Sequence, residues 1–327
     1  MAPSSRLPEL PENPSGWYAV AASAELPAGA VTARTLFGQS LALARTESGR
    51  PLALFATCPH LGGHLGRGRI AGERVVCPFH RFEFDGGGRC VRTGYGTPPP
   101  KARARTLPVC ERNGLVLLWW DQRGGPPTFE IPEHDAEAWC LPKLHTQVFR
   151  GHPQEVTENS VDVGHFTTVH GFHAVERIAP LAVEGAHLSA AYRFVHRLGP
   201  LSWQVRFTAH CFGLGYSFVE VEILATGTRT RLWVLPTPRA DGLLELRLGA
   251  AGHAAGPAAP LMRRLIRQLS LWLLVRDARA DVPIWQHRQH VERPALARGD
   301  GPIGRYRRWA RQFYPEVTAS ADSREVA

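Results

Sequence analysis

Two short motifs that pair a cysteine with a histidine constrain this chain of 327 residues more than any other feature. They are Cys58-Pro59-His60 and Cys77-Pro78-Phe79-His80, and residues 61–76 separate them. A cysteine and a histidine on one tight loop can face two different metal ions of a small cluster. Proline stiffens each loop, and glycines in the intervening segment let the backbone bend closely around the sulfur atoms. Two such loops are therefore expected to grip one shared metal centre from opposite sides.

The alternation of cysteine and histidine indicates a Rieske-type [2Fe–2S] centre, in which two thiolates bind one iron and two imidazoles bind the other. This assigns Cys58 and Cys77 to the first iron and His60 and His80 to the second. Imidazole ligands raise the reduction potential by roughly several hundred millivolts over a cluster bound by four thiolates. A zinc site is the alternative, but zinc fingers pair cysteine with cysteine and histidine with histidine. The spacing therefore favours a redox centre.

A second constellation lies in residues 155–170, which read EVTENSVDVGHFTTVH. Asp162 and His165 are three residues apart, so on a helix they share a face and the carboxylate can fix the tautomer of the imidazole. His165 and His170 are five apart, about 140° around an ideal helix. Both histidines can bind one ion only if the helix is distorted between them. The β-branched residues that separate them, and Gly171 after them, favour such a distortion.

This second stretch, coming after the cluster motifs, resembles the catalytic iron motif of Rieske non-haem iron oxygenases. In that family two histidines and a later carboxylate bind one Fe(II) on a single face and leave positions open for O₂. The resemblance implies that His165 and His170 are iron ligands and that Asn159 lies near the iron. It also implies that Asp162 bridges His165 to the cluster ligand His80 of a neighbouring subunit.

The third iron ligand is expected downstream. Residues 281–285 resemble the carboxylate segment of steroid-acting members of the family, and this favours Asp281. Asp277 lies one helical turn earlier on the same face and is the second choice. A plainer interpretation makes Asp281 a helix-end residue before Pro283. The carboxylates considered are Asp277, Asp281, Glu292 and Asp300.

Chain length and turn residues indicate two domains. Residues 1–125 are expected to form the Rieske domain and residues 126–327 the catalytic domain, with a Gly-Gly-Pro-Pro boundary at 124–127. Short apolar runs bounded by glycine and proline, such as residues 52–55, 74–76 and 115–120, predict strands of a small antiparallel β domain.

The second domain is predicted to be an antiparallel sheet followed by a long helix. Residues 187–250 read as consecutive strands, and residues 201–211 alternate apolar and polar side chains with period two. The apolar face of that strand should line a core or a substrate cavity. A helix is predicted from about residue 260 to residue 281. The resemblance implies an α+β protein with a helix-grip (START-like) catalytic domain.

Residues 58–66, 93–97 and 300–314 resemble the sterol-acting branch of the oxygenases, which holds the cholesterol 7-desaturases and the 3-ketosteroid 9α-hydroxylases. The desaturases look more similar. The resemblance thus implies an enzyme that oxidises a sterol or steroid with O₂. The alternatives are 9α-hydroxylation of a 3-ketosteroid, a non-sterol substrate, or a pure electron carrier. The carrier is disfavoured because His165, His170 and Asp281 are all present.

Sequence motifs and apolar runs predict the electron donor, the oligomeric state and the compartment. No Gly-x-Gly-x-x-Gly motif lies between a strand and a helix, so NAD(P)H is expected to act only through a separate reductase or ferredoxin. Electron transfer between subunits, which the resemblance implies, requires a closed ring and predicts a homotrimer. The six cysteines have no disulfide spacing, residues 1–16 contain no apolar signal region, and no run could span a bilayer. A cytoplasmic protein is therefore expected.

The net charge of +9 raises the question of acidic partners. The arginines are scattered, and no basic stripe accompanies stacking aromatics, which argues against nucleic acid. Positive charge instead suits an acidic electron donor or an anionic membrane surface. Arg263, Arg264 and Arg267 lie among apolar residues of the predicted helix, so a peripheral membrane contact is one hypothesis. A helix packed on the protein with a solvated arginine face is the other.

Overall fold

The computed structural model describes residues 10–11, 13–135, 139–256 and 258–315. Most of the proline-rich N-terminal segment, residues 1–9 and 12, lies outside the described residues, and so does the C-terminal end of the predicted catalytic domain, residues 316–327. Within the described ranges, none of the helices combines the length and the apolar character that crossing a membrane requires.

The N-terminal part consists of three small antiparallel sheets with the strand orders β1-β11-β10, β2-β3-β4-β9 and β5-β6-β7-β8. The three apolar runs predicted as strands are strands β4, β6 and β11. The strands are β1 (Gly16–Ala22), β2 (Val31–Leu36), β3 (Gln39–Arg45), β4 (Pro51–Phe55), β5 (Arg69–Ala71), β6 (Arg74–Val76), β7 (Glu83–Phe84), β8 (Cys90–Arg92), β9 (Thr106–Leu107), β10 (Val109–Arg112) and β11 (Leu115–Trp120). Short 3₁₀ turns cover Ser23–Glu25 and Leu65–Arg67.

The C-terminal part is built on one antiparallel sheet of eight strands in the order β12-β19-β18-β17-β16-β15-β13, with β14 also paired to β15. Strands β15 to β19 follow one another in both chain and space, as the sequence predicted. The strands are β12 (Lys143–Arg150), β13 (His173–Arg177), β14 (Ala182–Glu184), β15 (His187–Leu198), β16 (Leu201–Phe212), β17 (Tyr216–Ile223), β18 (Thr228–Pro238) and β19 (Leu243–His253).

Four α-helices accompany this sheet in the described part of the chain. They are α1 (Pro153–Glu158), α2 (Val163–Thr168), α3 (Ala259–His287) and α4 (Ile303–Ala310), and a 3₁₀ turn at Arg311–Phe313 follows the last. Helix α3 lies across the sheet, where Ala278 and Trp285 pack with the leucines of β19. The helix therefore packs across one face of the sheet, and the short helices α1 and α2 lie beside its C-terminal half.

The end of α3 differs from the prediction. The helix continues past Pro283 to His287, whereas the sequence predicted an end near residue 281. An internal proline costs about 3 kcal/mol. Against that cost, Trp285 buries its ring and stacks on Phe149 of β12, with ring centroids 5.7 Å apart. Asp281 is therefore an internal helix residue and not the helix-end residue of the plainer interpretation.

The two parts of the chain are joined by a buried arginine. The side chain of Arg247 on β19 donates hydrogen bonds of 2.8 Å to the carbonyl oxygens of both Ala19 and Val20. Strand β1 has a register shift against β11 at this point, which frees these carbonyls from the ladder. Glu245 pairs with Arg247 and also with Arg34 from the N-terminal part. Because the arginine is buried and bonded through both of its terminal nitrogens, it fixes one part against the other.

Candidate metal centres and substrate cavity

The two cysteine-histidine loops meet at their thiols. The backbone N–H of Cys58 donates to the carbonyl of Gly63 at 2.8 Å, and that of Cys77 donates to Phe82 at 2.8 Å. Each of these hydrogen bonds closes the base of its loop. Both cysteine side chains are buried between the loops. A Cβ atom at Gly63 would lie only 2.8 Å from the sulfur of Cys77, so this glycine permits the close approach.

The two histidines of these motifs also lie together. The ring centroids of His60 and His80 are 4.9 Å apart, and Phe82 stacks on His60 at 4.1 Å. Both histidines are partly exposed, while Nδ1 of His80 is buried without a hydrogen-bond partner. Burial raises the pKa of the Cys58 thiol to about 11. A buried nitrogen without a partner is unfavourable unless something binds it, and a metal cluster binds both thiolate and imidazole. The four residues therefore fit a Rieske cluster.

A second group of ligands converges beside helix α3. Single ligand atoms of His165, His170 and Asp281 all lie within 4.8 Å of one another. The two Nε2 atoms are 2.9 Å apart, and Oδ1 of Asp281 lies 3.0 Å from the first and 3.5 Å from the second. Burial lowers the pKa of His170, which favours the neutral imidazole that binds metal. Two imidazoles and one carboxylate on one face are a donor set for non-haem Fe(II).

The chain brings the two histidines together by ending helix α2 between them. The helix stops at Thr168, and Gly171 takes the left-handed conformation with φ of 64°. His170 therefore lies beyond the helix, on a segment that turns back toward His165. The predicted distortion thus takes the form of a helix end, followed by a turn that favours glycine.

Asp162 has a different role in the local structure from the one predicted. It lies outside the helix as the N-cap of α2, and its Oδ1 accepts the backbone N–H of His165 at 3.0 Å. The sequence predicted instead a contact with the imidazole across a shared helix face. Aspartate is among the best N-cap residues, and the helix begins directly after it. Asn159, also expected near the iron, has its Nδ2 3.2 Å from Nε2 of His165.

The four candidate carboxylates occupy distinct environments. Oδ1 of Asp281 is buried and has no hydrogen-bond donor in suitable geometry, which is the environment of an atom that binds a metal. Asp277 accepts two bonds from Arg276 at 3.1 and 2.9 Å. Glu292 is exposed. Asp300 accepts from the backbone of the neighbouring loop at 2.6 Å. The structure thus places Asp281 with the two histidines. Of the other three carboxylates, Asp277 and Asp300 are hydrogen-bonded elsewhere and Glu292 is exposed to solvent.

Helix α4 holds α1 in place next to this group. Arg307 donates to both carboxylate oxygens of Glu158, at 2.7 and 3.0 Å, and Arg288 pairs with the same side chain. Burial acts in the opposite direction, but these guanidinium groups hold the pKa of Glu158 below its usual value. The hydroxyl of Tyr306 donates to the carbonyl of Gln154 at 2.7 Å. Residues 300–314, which carried the sterol-branch resemblance, therefore support the helix that precedes Asn159.

A cavity of about 680 Å³ extends from the His165–His170–Asp281 group between the sheet and α3. This volume lies in the range of small-molecule sites. Its walls are mainly apolar, and the predicted alternation of strand β16 supplies one of them. The lining residues of that strand are Leu201, Trp203, Val205 and Phe207. The apolar lining favours a large hydrocarbon-like ligand over a charged one.

Two lining residues were not singled out from the sequence. Phe172 stacks on Phe194 with centroids 4.3 Å apart and lies 5.4 Å from the ring of His170. His196 occupies the same strand face as Phe194 and is buried. For His196, the sequence did contain a signal. Tyr192, Phe194 and His196 alternate with period two, and the histidine is a polar residue on an otherwise apolar strand face.

Comparison with protein families gives two matches. The family model described as "3-Ketosteroid 9alpha-hydroxylase C-terminal domain" matches residues 118–314. The model described as "Rieske [2Fe-2S] domain" matches residues 16–107. The first alone spans more than half of the chain, and the two together include every metal-binding candidate described above.

Curated relatives include a cholesterol 7-desaturase of Xenopus laevis, which is 29% identical over 95% of this chain and 75% of its own length. The oxygenase component of a 3-ketosteroid-9-alpha-monooxygenase from Rhodococcus rhodochrous is 26% identical over 92% of this chain and 84% of its own length. Among solved structures, dicamba monooxygenase bound to dicamba matches with a TM-score of 0.72 and 24% identity, over 91% of this chain and 96% of the other. That structural likeness confirms the fold.

Replacing Asp281 by alanine should remove the mononuclear iron and leave the cluster in place. We expect iron to fall from about three to about two atoms per chain, because the cluster holds two and the mononuclear centre one. The measurement is iron analysis of anaerobically prepared protein together with the spectrum of the reduced cluster. The matched control is Asp277→Ala on the same helix, which should retain about three. The assignment would be contradicted if the control lost iron, or if Asp281→Ala kept all of its iron.

Proposed function

We propose, from the premise that this chain belongs to the Rieske oxygenase family with a 3-ketosteroid 9α-hydroxylase C-terminal domain, that it oxidises a sterol or steroid. The observation that supports this most directly is the apolar cavity of about 680 Å³, which has a two-histidine, one-carboxylate group in its wall. A rigid polycyclic hydrocarbon buries most of its surface in such a cavity, and the ligand group lies beside it. Residues 1–125 and 126–327 are the proposed cluster and catalytic domains.

Each set of residues has one proposed task. Cys58, Cys77, His60 and His80 hold the cluster, and His165, His170 and Asp281 hold the mononuclear iron. What these groups supply when bound is one-electron transfer and activation of O₂ beside an unactivated C–H bond. The protein itself positions the substrate and excludes water. Phe172, Phe194 and the side chains of β16 do this by surrounding the cavity with apolar surface.

The proposed reaction is that of a cholesterol 7-desaturase, with hydroxylation of a 3-ketosteroid as the alternative. Relatives with both names match over nearly the whole chain at similar identity. Desaturation and hydroxylation begin with removal of hydrogen from the same kind of carbon, and the site described here serves either. Electrons come from a separate protein, and we propose a ferredoxin or ferredoxin reductase, in the cytoplasm, as the donor.

Turnover of a panel of substrates tests this function. The reconstituted enzyme, supplied with reductase, ferredoxin and O₂, should oxidise cholesterol or a 3-ketosteroid. It should leave an aromatic acid and a quaternary amine unchanged, because the apolar cavity offers little to pair a charge. Mass spectrometry of the products also distinguishes loss of two hydrogens from gain of one oxygen. Oxidation of the non-sterol compounds alone would refute the proposal.

We further propose that electrons cross between subunits of a homotrimer, from His80 of one subunit through Asp162 to His165 of the next. Two observations support this. Asp162 is partly exposed beside His165, so a neighbour can reach it. The cluster histidines lie among exposed apolar side chains that suit burial in an interface. These are Leu61, Phe79 and Tyr95, with exposed fractions of 64%, 60% and 58%. A head-to-tail ring would cover this surface in every subunit.

The variant Asp162→Asn isolates the bridging role. Asparagine is as good an N-cap as aspartate, so helix α2 and the iron site should be retained, while the negative charge is lost. We expect turnover to fall by about 10- to 100-fold, with both metal centres filled. The direct readout is the rate at which the reduced cluster is reoxidised after substrate and O₂ are added.

The control for this test is Asp121→Asn, because Asp121 also caps backbone N–H groups, at Arg123 and Gly125, but lies in the loop after β11. It should reoxidise at the wild-type rate. Wild-type reoxidation in Asp162→Asn would refute the bridge, and a monomer in sedimentation would refute the ring.

The N-terminal half of α3 is proposed to contact an anionic membrane. Its exposed apolar side chains are Leu261, Met262, Leu265, Leu269 and Trp272. Arg264 is exposed among them, and the partly exposed Arg263 and Arg267, which donate to backbone carbonyls, add to the positive charge that anionic lipids need. Leu269 is both 58% exposed and part of the cavity wall, so the cavity approaches the surface at this face. A sterol leaving the bilayer could then enter without crossing water.

Flotation with anionic vesicles tests the contact. The wild type should float with the vesicles and lose binding as salt rises, because surface charges are screened. The double variant Leu265→Ser, Leu269→Ser should float less, since it removes exposed apolar surface that the bilayer would bury. Val183→Ser, at another exposed apolar position on β14, is the control. Absence of flotation by the wild type would dispose of the proposal.

A further inference from the structure

His196 is a buried polar residue in an otherwise apolar part of the cavity wall. It lies on β15 and is only 8% exposed. Its ring packs edge-on against Phe172 at 5.2 Å and Trp203 at 5.1 Å. Phe172 in turn lies 5.4 Å from the ring of His170. A single phenyl ring therefore separates His196 from a proposed iron ligand.

The other buried polar side chains that line the cavity already have partners or tasks. The hydroxyl of Ser217 donates to the carbonyl of Val234 at 2.7 Å, and that of Thr230 donates to Ala251 at 2.9 Å. His165 and Asp281 belong to the proposed iron site. Of the buried polar residues lining the cavity in the described part of the chain, this leaves His196.

The surroundings of His196 define where its proton lies. Nη2 of Arg276 approaches Nε2 of His196 at 3.4 Å, and a guanidinium can only donate. Nε2 therefore accepts, and the proton of the neutral ring is on Nδ1. Burial lowers the pKa of His196, which keeps the ring neutral. Asp277 holds Arg276 in this position with bonds of 3.1 and 2.9 Å.

Within the described ranges, the hydrogen-bonding contact of the His196 ring is with Arg276 at Nε2, which leaves Nδ1–H available to the cavity that His196 lines. When a ligand fills the cavity, this donor loses its access to water, and leaving it unpaired is then unfavourable by the free energy of its lost hydration. A ligand oxygen at this place would satisfy it. A ligand without such an oxygen would leave the donor unpaired, and this difference produces specificity.

We propose that His196 determines how the substrate lies in the cavity, by donating its Nδ1–H to a ring ketone or ring hydroxyl of the polycyclic substrate. The oxygen-bearing end would then lie near the iron, and the hydrocarbon remainder would lie along the apolar walls of β16 and α3. This inference rests on the proposed sterol function and names a specificity-determining residue within it. Arg276 and Asp277 act through His196 as positioning residues, because they fix its tautomer.

Equilibrium binding to the iron-loaded protein tests the inference. Trp203 and Trp285 line the cavity, so their fluorescence can report binding. The probes are cholesterol, a 3-ketosteroid and the matched steroid hydrocarbon that lacks the ring oxygen. The wild type should bind the oxygenated steroids about 10- to 100-fold more tightly than the hydrocarbon.

Two variants separate the role of the donor from that of packing. His196→Phe keeps an aromatic ring but lacks the donor, so the preference should fall to about two-fold, with hydrocarbon binding retained. Its oxidation products should also spread over more than one carbon, since orientation is lost. Arg276→Leu removes the group that fixes the tautomer from a partly exposed position, and it should weaken the preference several-fold while His196 stays in place.

The outcomes distinguish this inference from the function on which it rests. If the wild type neither binds nor oxidises any steroid, the proposed function fails, and this inference fails with it. If the wild type binds and oxidises steroids but His196→Phe keeps the full preference and a single product, only the role of His196 is refuted. Folding of each variant is checked by its iron content and thermal unfolding.

Discussion

The site depends on holding a carboxylate against two imidazoles where little water reaches them. Asp281, His165 and His170 are all largely buried, and their ligand atoms lie within 4.8 Å of one another. A buried carboxylate is unfavourable without compensating charge or hydrogen bonds. The fold nevertheless places Asp281 there without a hydrogen-bond donor, by carrying α3 through Pro283 and anchoring it with Trp285. The proposed iron ion would supply this compensation, so that metal binding and the packing of α3 would stabilise the same arrangement.

The cavity follows from how that helix lies on the sheet. Strands β15 to β19 present one apolar face, and α3 covers it without filling the space, which leaves about 680 Å³ beside the ligand group. Burial of a hydrocarbon ligand there is driven by the same effect that buries the core. Because this driving force has no direction, orientation must come from the few polar groups in the wall. The hydroxyl groups of Ser217 and Thr230 already donate to backbone carbonyls, so His196 is the group proposed to orient the ligand.

The N-terminal part supports the site in two ways. It carries the cysteine-histidine loops, whose histidines are partly exposed and surrounded by exposed apolar side chains. It is also fixed to the large sheet by Arg247, which takes two carbonyls of β1 that the strand's irregular register leaves free. A buried arginine that is bonded through both terminal nitrogens is costly to displace. The position of the cluster relative to the large sheet is therefore a property of the fold.

The sequence by itself identified the features that depend on near neighbours. The Cys58–His60 and Cys77–His80 spacings indicated the cluster, and alternation along β16 indicated a cavity wall, because loop closure and side-chain alternation are local properties. The helix end before His170 was foreseen as a distortion, but the N-cap role of Asp162 was not. The resemblance of residues 281–285 already favoured Asp281 over Asp277, but only the tertiary structure brought its carboxylate beside the histidines and showed His196 near them. Such contacts depend on sheet register and helix packing between residues distant in the chain, which no local pattern encodes.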